Sequence, residues 1–223
     1  MYQKSHDQAR GLKTDSSQLF LLINILHNSY QVSKRATPLL PNHYPVQKFV
    51  AEHSSDSVDI LVNNAGENVV QPLAEVDFQT WSTIQNINLN APFLLMQHFG
   101  VGMCQKRNGR ILNIASLFSF LSKAGRASYT SSKSGLLGLT RTAAIEWAPY
   151  NVMVNCLSPG FVNTELTRKN NTDEKIKEIS SLIPAGRMAE PSEIAKTAAF
   201  LVSEENSYLT GQNIVVDGGI SIL

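Results

Sequence analysis

Only two cysteines, Cys104 and Cys156, occur in 223 residues, and they form no C-x-x-C pair. That excludes a disulfide framework, and both lie in apolar stretches where inert buried thiols are expected. The five histidines show no metal-ligand spacing such as H-E-x-x-H, so no metal site is expected. An excess of one charge is also missing. The formal net charge is +1 and the Lys and Arg residues are scattered, which gives no electrostatic basis for nucleic acid or an anionic membrane as partner. The longest apolar run, 19–26, is too short to span a bilayer and is interrupted by Asn24. The first 17 residues carry no apolar stretch behind a basic start, so no secretory signal is read there and a cytoplasmic location is expected. The glycosylation-like triplet at Asn170 is accordingly taken as chance.

What is present is ordinary globular composition, 43% hydrophobic and 17% charged, enough for one domain over residues 1–223 with a sizeable core. Short apolar runs at 57–66, 109–116, 151–160 and 212–219 read as buried strands. Between them, apolar spacing predicts helices at 77–107, bent by Pro92, and at 127–149, 173–183 and 190–204. Alternation of this kind predicts an α/β fold, a doubly wound parallel sheet in three layers, with ligands beyond the carboxyl ends of the strands. Polar residues gather at those ends: Asn63 to Gly66, Ser116, and Ser158 to Gly160.

Tyr129 and Lys133 stand four positions apart at the start of a predicted helix, so their side chains share a face. An ammonium beside a phenol lowers the phenol pKa toward the range useful for proton transfer. Y-x-x-x-K is common by itself, and two polar residues on a wet helix face are the plainer reading. Ser116 closes the preceding strand and Asn88 lies in the preceding long helix, so the fold could bring four polar groups together. Their chemistry would be proton transfer and orientation at a carbonyl or secondary alcohol during hydride transfer. Trp81 and Trp147 read as packing anchors, Asn113 as a structural residue at a strand end, and Ser131 and Ser132 as helix residues.

Seven segments, "NNAG" (63–66), "NLNAPF" (88–93), "GRILNIAS" (109–116), "YTSSK" (129–133), "NVMVNCLSPGFVNTEL" (151–166), "GRMAEPSEIAKTAAFL" (186–201) and "YLTGQNIVVDGG" (208–219), resemble the classical short-chain dehydrogenase/reductase family, its 3-oxoacyl-carrier-protein reductase-like branch above all. The order and spacing hold from about residue 58 to the end. The resemblance implies a Rossmann-type fold and an NAD(P)(H)-dependent oxidoreductase interconverting a ketone and a secondary alcohol. It implies Ser116, Tyr129, Lys133 and Asn88 as catalytic residues. Ser116 would hold the substrate oxygen, Tyr129 would pass the proton, Lys133 would lower the Tyr129 pKa and bond the cofactor ribose, and Asn88 would hold a water. Asn64, Ala65 and Gly66, together with Pro159, Gly160, Val162 and Thr164, would border the cofactor, with Tyr129 and Lys133 touching it too. Residues 161–190 would form a substrate lid. A homodimer or homotetramer is implied, built through segments 77–107, 129–147 and 190–219, with Asp217 to Gly219 as the turn after the last strand.

The family's opening element is missing. It starts with a strand and a glycine-rich turn, T-G-x-x-x-G-x-G, that cradles the cofactor pyrophosphate at a helix amino terminus. Here Gly11 is the only glycine between residues 9 and 37. Residues 19–28 read as the first helix running into a second strand at "YQVSKRAT", and the first strand and glycine loop read as lost or altered, with 1–18 atypical. Lys34 and Arg35 at the end of that second strand would suit the 2′-phosphate of NADP over NAD. The alternative to an active enzyme is a non-catalytic or truncated homologue acting as an oligomer subunit.

Overall fold

The computed structural model describes residues 20–26, 29–33, 43–53 and 57–223. Its strands are β1 (Phe20–Leu26), β2 (Ser29–Ser33), β3 (Ile60–Asn63), β4 (Gly109–Ile114), β5 (Val152–Pro159) and β6 (Asn213–Val216). Its helices are α1 (His43–Glu52), α2 (Phe78–Gln85), α3 (Ala91–Lys106), α4 (Ala127–Trp147), α5 (Glu165–Asn170), α6 (Asp173–Ser181) and α7 (Pro191–Val202). The strands form one sheet in the order β2-β1-β3-β4-β5-β6.

β1, β3, β4, β5 and β6 run parallel, as the unbroken apolar strands predict. β3 and β5 are buried along almost their whole length, because helices cover both faces. On one face Leu61, Ile111, Val152 and Val154 pack against Val46 and Phe49 of α1, Leu95, Met96, Phe99 and Met103 of α3, and Ala143 and Ala144 of α4. On the other, Ile60, Val62, Leu112 and Leu157 meet Leu201 and Val202 of α7. Each fully buried aliphatic side chain contributes roughly 1.5–3 kcal/mol, so this three-layer arrangement is anchored chiefly by β3, β4 and β5.

Two expectations need correction. Residues 20–26 form a strand, not a helix, and it takes the place beside β3 that the missing first strand would hold. The apolar run is continuous, and over so short a stretch periodicity cannot separate a buried strand from a helix. The second strand exists at Ser29–Ser33, but it runs antiparallel to β1, so the sheet is parallel except at this edge. Gly11, Lys34, Arg35 and the atypical segment 1–18 lie outside the described residues.

The long helix predicted at 77–107 is divided. Asp77 caps α2 by accepting from Thr80 N at 2.8 Å. A π-helical turn, Asn86–Asn90, then joins α2 to α3, with Ala91 N–H reaching back to Asn86 O. Pro92 explains the interruption, since it has no N–H to offer the carbonyl of Asn88 four residues earlier. α4 ends at Trp147, and a single 3₁₀ turn at Ala148–Tyr150 leads to β5.

Candidate active site

The carboxyl ends of β3, β4 and β5 meet the amino-terminal half of α4, and the predicted polar residues gather there. β4 delivers Ser116. Its extended backbone (φ −167°) caps a 3₁₀ turn, with Oγ accepting from Phe118 N at 3.2 Å. That leaves the hydroxyl hydrogen free to be donated, and the Ser116 hydroxyl acts to lower the Tyr129 pKa. Ser119 fixes this turn from below: its hydroxyl donates to Ser116 O at 2.5 Å and lies 3.2 Å from Ser158 Oγ on β5.

Lys133, one helical turn after Tyr129, is 2% exposed. Its Nζ donates to Ile114 O at 2.6 Å and stands 5.9 Å from the centre of the Tyr129 ring. Burial pulls the lysine pKa from 10.5 down to about 8, while Cys156 acts in the opposite direction. Tyr129 differs from expectation. Burial raises its pKa above the usual 10, and the influences that lower it come from the Ser116 hydroxyl and the charge of Arg126. Arg126, whose guanidinium carbon sits 5.4 Å from the centre of the Phe118 ring, is thus a site residue that the sequence reading did not single out. A distinct signal was available, a cation three positions before the tyrosine at the helix start.

Asn88 sits in the π turn and is fully buried. Its Oδ1 accepts from Glu67 N at 2.8 Å, and its Nδ2 donates to Glu67 O and to Ser132 Oγ, both at 2.9 Å. Ser132 in turn donates to Tyr129 O at 2.8 Å. Both amide hydrogens of Asn88 are therefore spent on protein partners, and only an Oδ1 lone pair is left for a water. Ser132, read from the sequence as a helix residue, is one, and it also ties Asn88 to this helix.

Gly66 follows β3 and faces this cluster. A Cβ there would lie 3.4 Å from Lys133 Nζ and 3.7 Å from Asn88 Oδ1, so the bare backbone leaves a cradle beside the lysine. Asn64 is exposed and Ala65 buried. Asn63 donates to Asn113 Oδ1 at 2.7 Å, and Asn113 donates to Thr140 Oγ1 at 2.9 Å, which confirms Asn113 as a structural tie between sheet and α4. Thr140 Oγ1 also lies 3.0 Å from Cys156 Sγ, and burial raises that thiol's pKa to about 11. Cys156 is buried, as expected.

Pro159 and Gly160 lie at the carboxyl end of β5. Gly160 N donates to Val216 O at 2.9 Å, and a Cβ at Gly160 would come within 2.7 Å of the Asp217 backbone. Val162 bridges to Ala189. Thr164 caps α5, accepting from Thr167 N at 3.1 Å, so its hydroxyl is engaged by its own helix. Among the described residues no group of His, Cys, Asp and Glu could hold a metal, and no helix is long and apolar enough to cross a membrane.

A family model described as enoyl-(acyl carrier protein) reductase matches residues 45–221, a span that includes Asn88, Ser116, Tyr129 and Lys133. The chain belongs to the short-chain dehydrogenase/reductase family. This family member is 39% identical over 166 residues to a 3-oxoacyl-(acyl-carrier-protein) reductase of Vibrio cholerae, covering 74% of this chain and 68% of the relative. It is 36% identical over 179 residues to an NAD-dependent glycerol dehydrogenase of Listeria innocua, covering 79% and 70%. Among solved structures it resembles a gluconate 5-dehydrogenase from Burkholderia cenocepacia in complex with NADP and tartrate, with a TM-score of 0.76, 31% identity, and coverage of 82% and 73%. The family's general chemistry is NAD(P)-dependent oxidoreduction.

The nicotinamide end of such a cofactor fits this short-chain dehydrogenase/reductase site. Gly66 carries no side chain beside the Lys133 ammonium, which is a donor of the kind that a ribose hydroxyl would accept from. The diphosphate end does not fit in the same way. β1 is followed by a hairpin in place of a glycine turn and helix.

Proposed function

We propose that this chain interconverts a small-molecule ketone and a secondary alcohol, with Ser116, Tyr129, Lys133 and Asn88 as its working residues. The observation that carries the reading is the buried Lys133 of α4, its Nζ donating to Ile114 O two residues before Ser116 and standing 5.9 Å from the centre of the Tyr129 ring. A nicotinamide cofactor, NADP or NAD, supplies or accepts the hydride. Ser116 Oγ–H holds the substrate oxygen by donating to it. Tyr129, kept protonated at neutral pH by burial, passes its phenolic proton to that oxygen as the alcohol forms. Lys133 is largely charged at pH 7, and a positive charge 5.9 Å from the ring centre favours the phenolate left behind. Asn88 orients the Glu67 backbone and, through Ser132, the first turn of α4.

Asn64, Ala65, Gly66, Pro159, Gly160, Val162 and Thr164 would border the cofactor, and residues 161–190, which include α5 and α6, would cover the substrate. Exposed Phe93 and Val101 on α3, Ile145 on α4 and Phe200 on α7 support a homodimer or homotetramer through these helices. The NADP preference rests on Lys34 and Arg35 alone. A cytoplasmic setting suits such an enzyme.

The test is titration of the purified chain with NADPH and NADH by nicotinamide fluorescence, followed by a screen of ketones with Tyr129→Phe as control. Loss of a general acid lowers turnover by about 10²–10⁴-fold. Turnover unchanged in Tyr129→Phe rejects the assignment. The hairpin after β1 favours a second reading, a non-catalytic subunit of an oligomer, for which neither cofactor would bind.

A further inference from the structure

We propose that the cofactor site of this chain is a nicotinamide-ribose subsite only, and that the adenylate half of NAD(H) or NADP(H) contributes little affinity. This rests on the function proposed above.

The register between β1 and β3 carries the argument. Phe20 to Ile23 pair with Ile60 to Asn63, so β3 ends opposite Ile23. Asn24, Ile25 and Leu26 continue past that edge, an overshoot of about 10 Å at strand rise. They pair instead with Gln31, Tyr30 and Ser29 of the returning strand. A two-stranded hairpin therefore stands at the carboxyl end of β1, next to the Asn64–Gly66 segment that follows β3.

A dinucleotide bound across such a sheet runs its diphosphate over that carboxyl end, where a glycine turn and a helix amino terminus converge several N–H groups on it. An antiparallel ladder does the reverse. Its N–H groups lie in the plane of the sheet and point alternately toward the partner strand, which takes them up, and away from it, so they do not converge on one point. No glycine occurs from residue 20 to 33 to let the backbone close on a phosphate. Among the described residues no helix begins directly after β1. The nicotinamide end is different, because Lys133, Asn88 and the bare Gly66 are held by β3, β4 and α4 and do not depend on β1.

The experiment titrates the full 223-residue chain with reduced nicotinamide mononucleotide, NADH and NADPH, read by nicotinamide fluorescence and by thermal shift. AMP and adenosine 2′,5′-bisphosphate serve as competitors. We expect the three reduced ligands to bind within about threefold of one another, where two charge-assisted bonds to the diphosphate would separate them by a hundredfold or more. Neither competitor should displace the mononucleotide, and Lys133→Met should weaken all three alike. NADH or NADPH binding more than tenfold tighter than the mononucleotide, with displacement by an adenylate, overturns the inference and leaves the proposed enzyme function standing. Absence of binding by all three at millimolar concentration overturns both.

Discussion

Lys133 Nζ donates to the carbonyl oxygen of Ile114 at 2.6 Å, which ties α4 to the strand that delivers Ser116 two residues later. The lysine is buried to make this contact, and burial is also what draws its pKa to about 8. One side chain thus joins the architecture of the site to its electrostatics.

A first prediction concerns stability and pH. Lys133 titrates near 10.5 when unfolded and near 8 when folded. The unfolded chain therefore binds more protons between those values, and this lysine's contribution to stability is greatest above pH 10.5 and is lost as pH falls to about 8. The span is worth about 3 kcal/mol. Lys133→Met removes the titration, so the stability difference between variant and wild type should change across pH 8–10.5 and stay flat below it. Chemical denaturation at several pH values measures this, and a constant difference throughout would refute it.

Tyr129 makes the opposite prediction. Its pKa is raised above 10 by burial, so its contribution to stability is complete below pH 10 and is lost as pH climbs through the folded value. Ultraviolet titration of the phenolate should show one tyrosine ionising later than the rest, and that late step should vanish in Tyr129→Phe. Carbonyl reduction should show no acid-side loss assignable to this residue.

Ser132 bridges Asn88 Nδ2 and Tyr129 O and is fully buried. Ser132→Ala leaves one Asn88 amide hydrogen without a partner, at a cost of about 1–3 kcal/mol. Urea unfolding should report that loss, and Ser132→Thr, which keeps the hydroxyl, should recover part of it. Equal stability of the alanine variant and wild type would show that the bridge contributes nothing.

Gly160 has no room for a side chain, since a Cβ would sit 2.7 Å from Asp217 Cα and 3.2 Å from its carbonyl oxygen. The obstacle is backbone, so Gly160→Ala must move the turn after β6. Overpacking of this kind costs about 1–3 kcal/mol. Thermal unfolding tests it. Gly102→Ala is the control, because nothing lies within 4 Å of a Cβ there.

Some of this molecule was legible in the sequence for local reasons. β3, β4, β5 and β6 are continuous apolar runs bounded by turn residues, and Pro92 marked the break in the long helix because a missing N–H acts wherever the chain goes. Tyr129 and Lys133 share a face of α4 by helical periodicity alone. Asn113 read correctly as structural, since a buried amide at a strand end needs partners, and it has Asn63 and Thr140.

What the sequence by itself determined was the alternation of strand and helix, the identity of the polar residues at the strand ends, and the lack of a glycine turn near the amino terminus. Only the tertiary structure decided the rest. Phe20–Leu26 is a strand because β3 offers it an edge to pair with, a long-range partner that local pattern cannot supply. The Tyr129 pKa rises because burial outweighs the neighbouring charges, and burial is a property of the packed molecule. Arg126 and Ser132 join the site because the 3₁₀ turn after β4 and the π turn before α3 fold back onto α4, the second of these contacts made across 44 residues of chain.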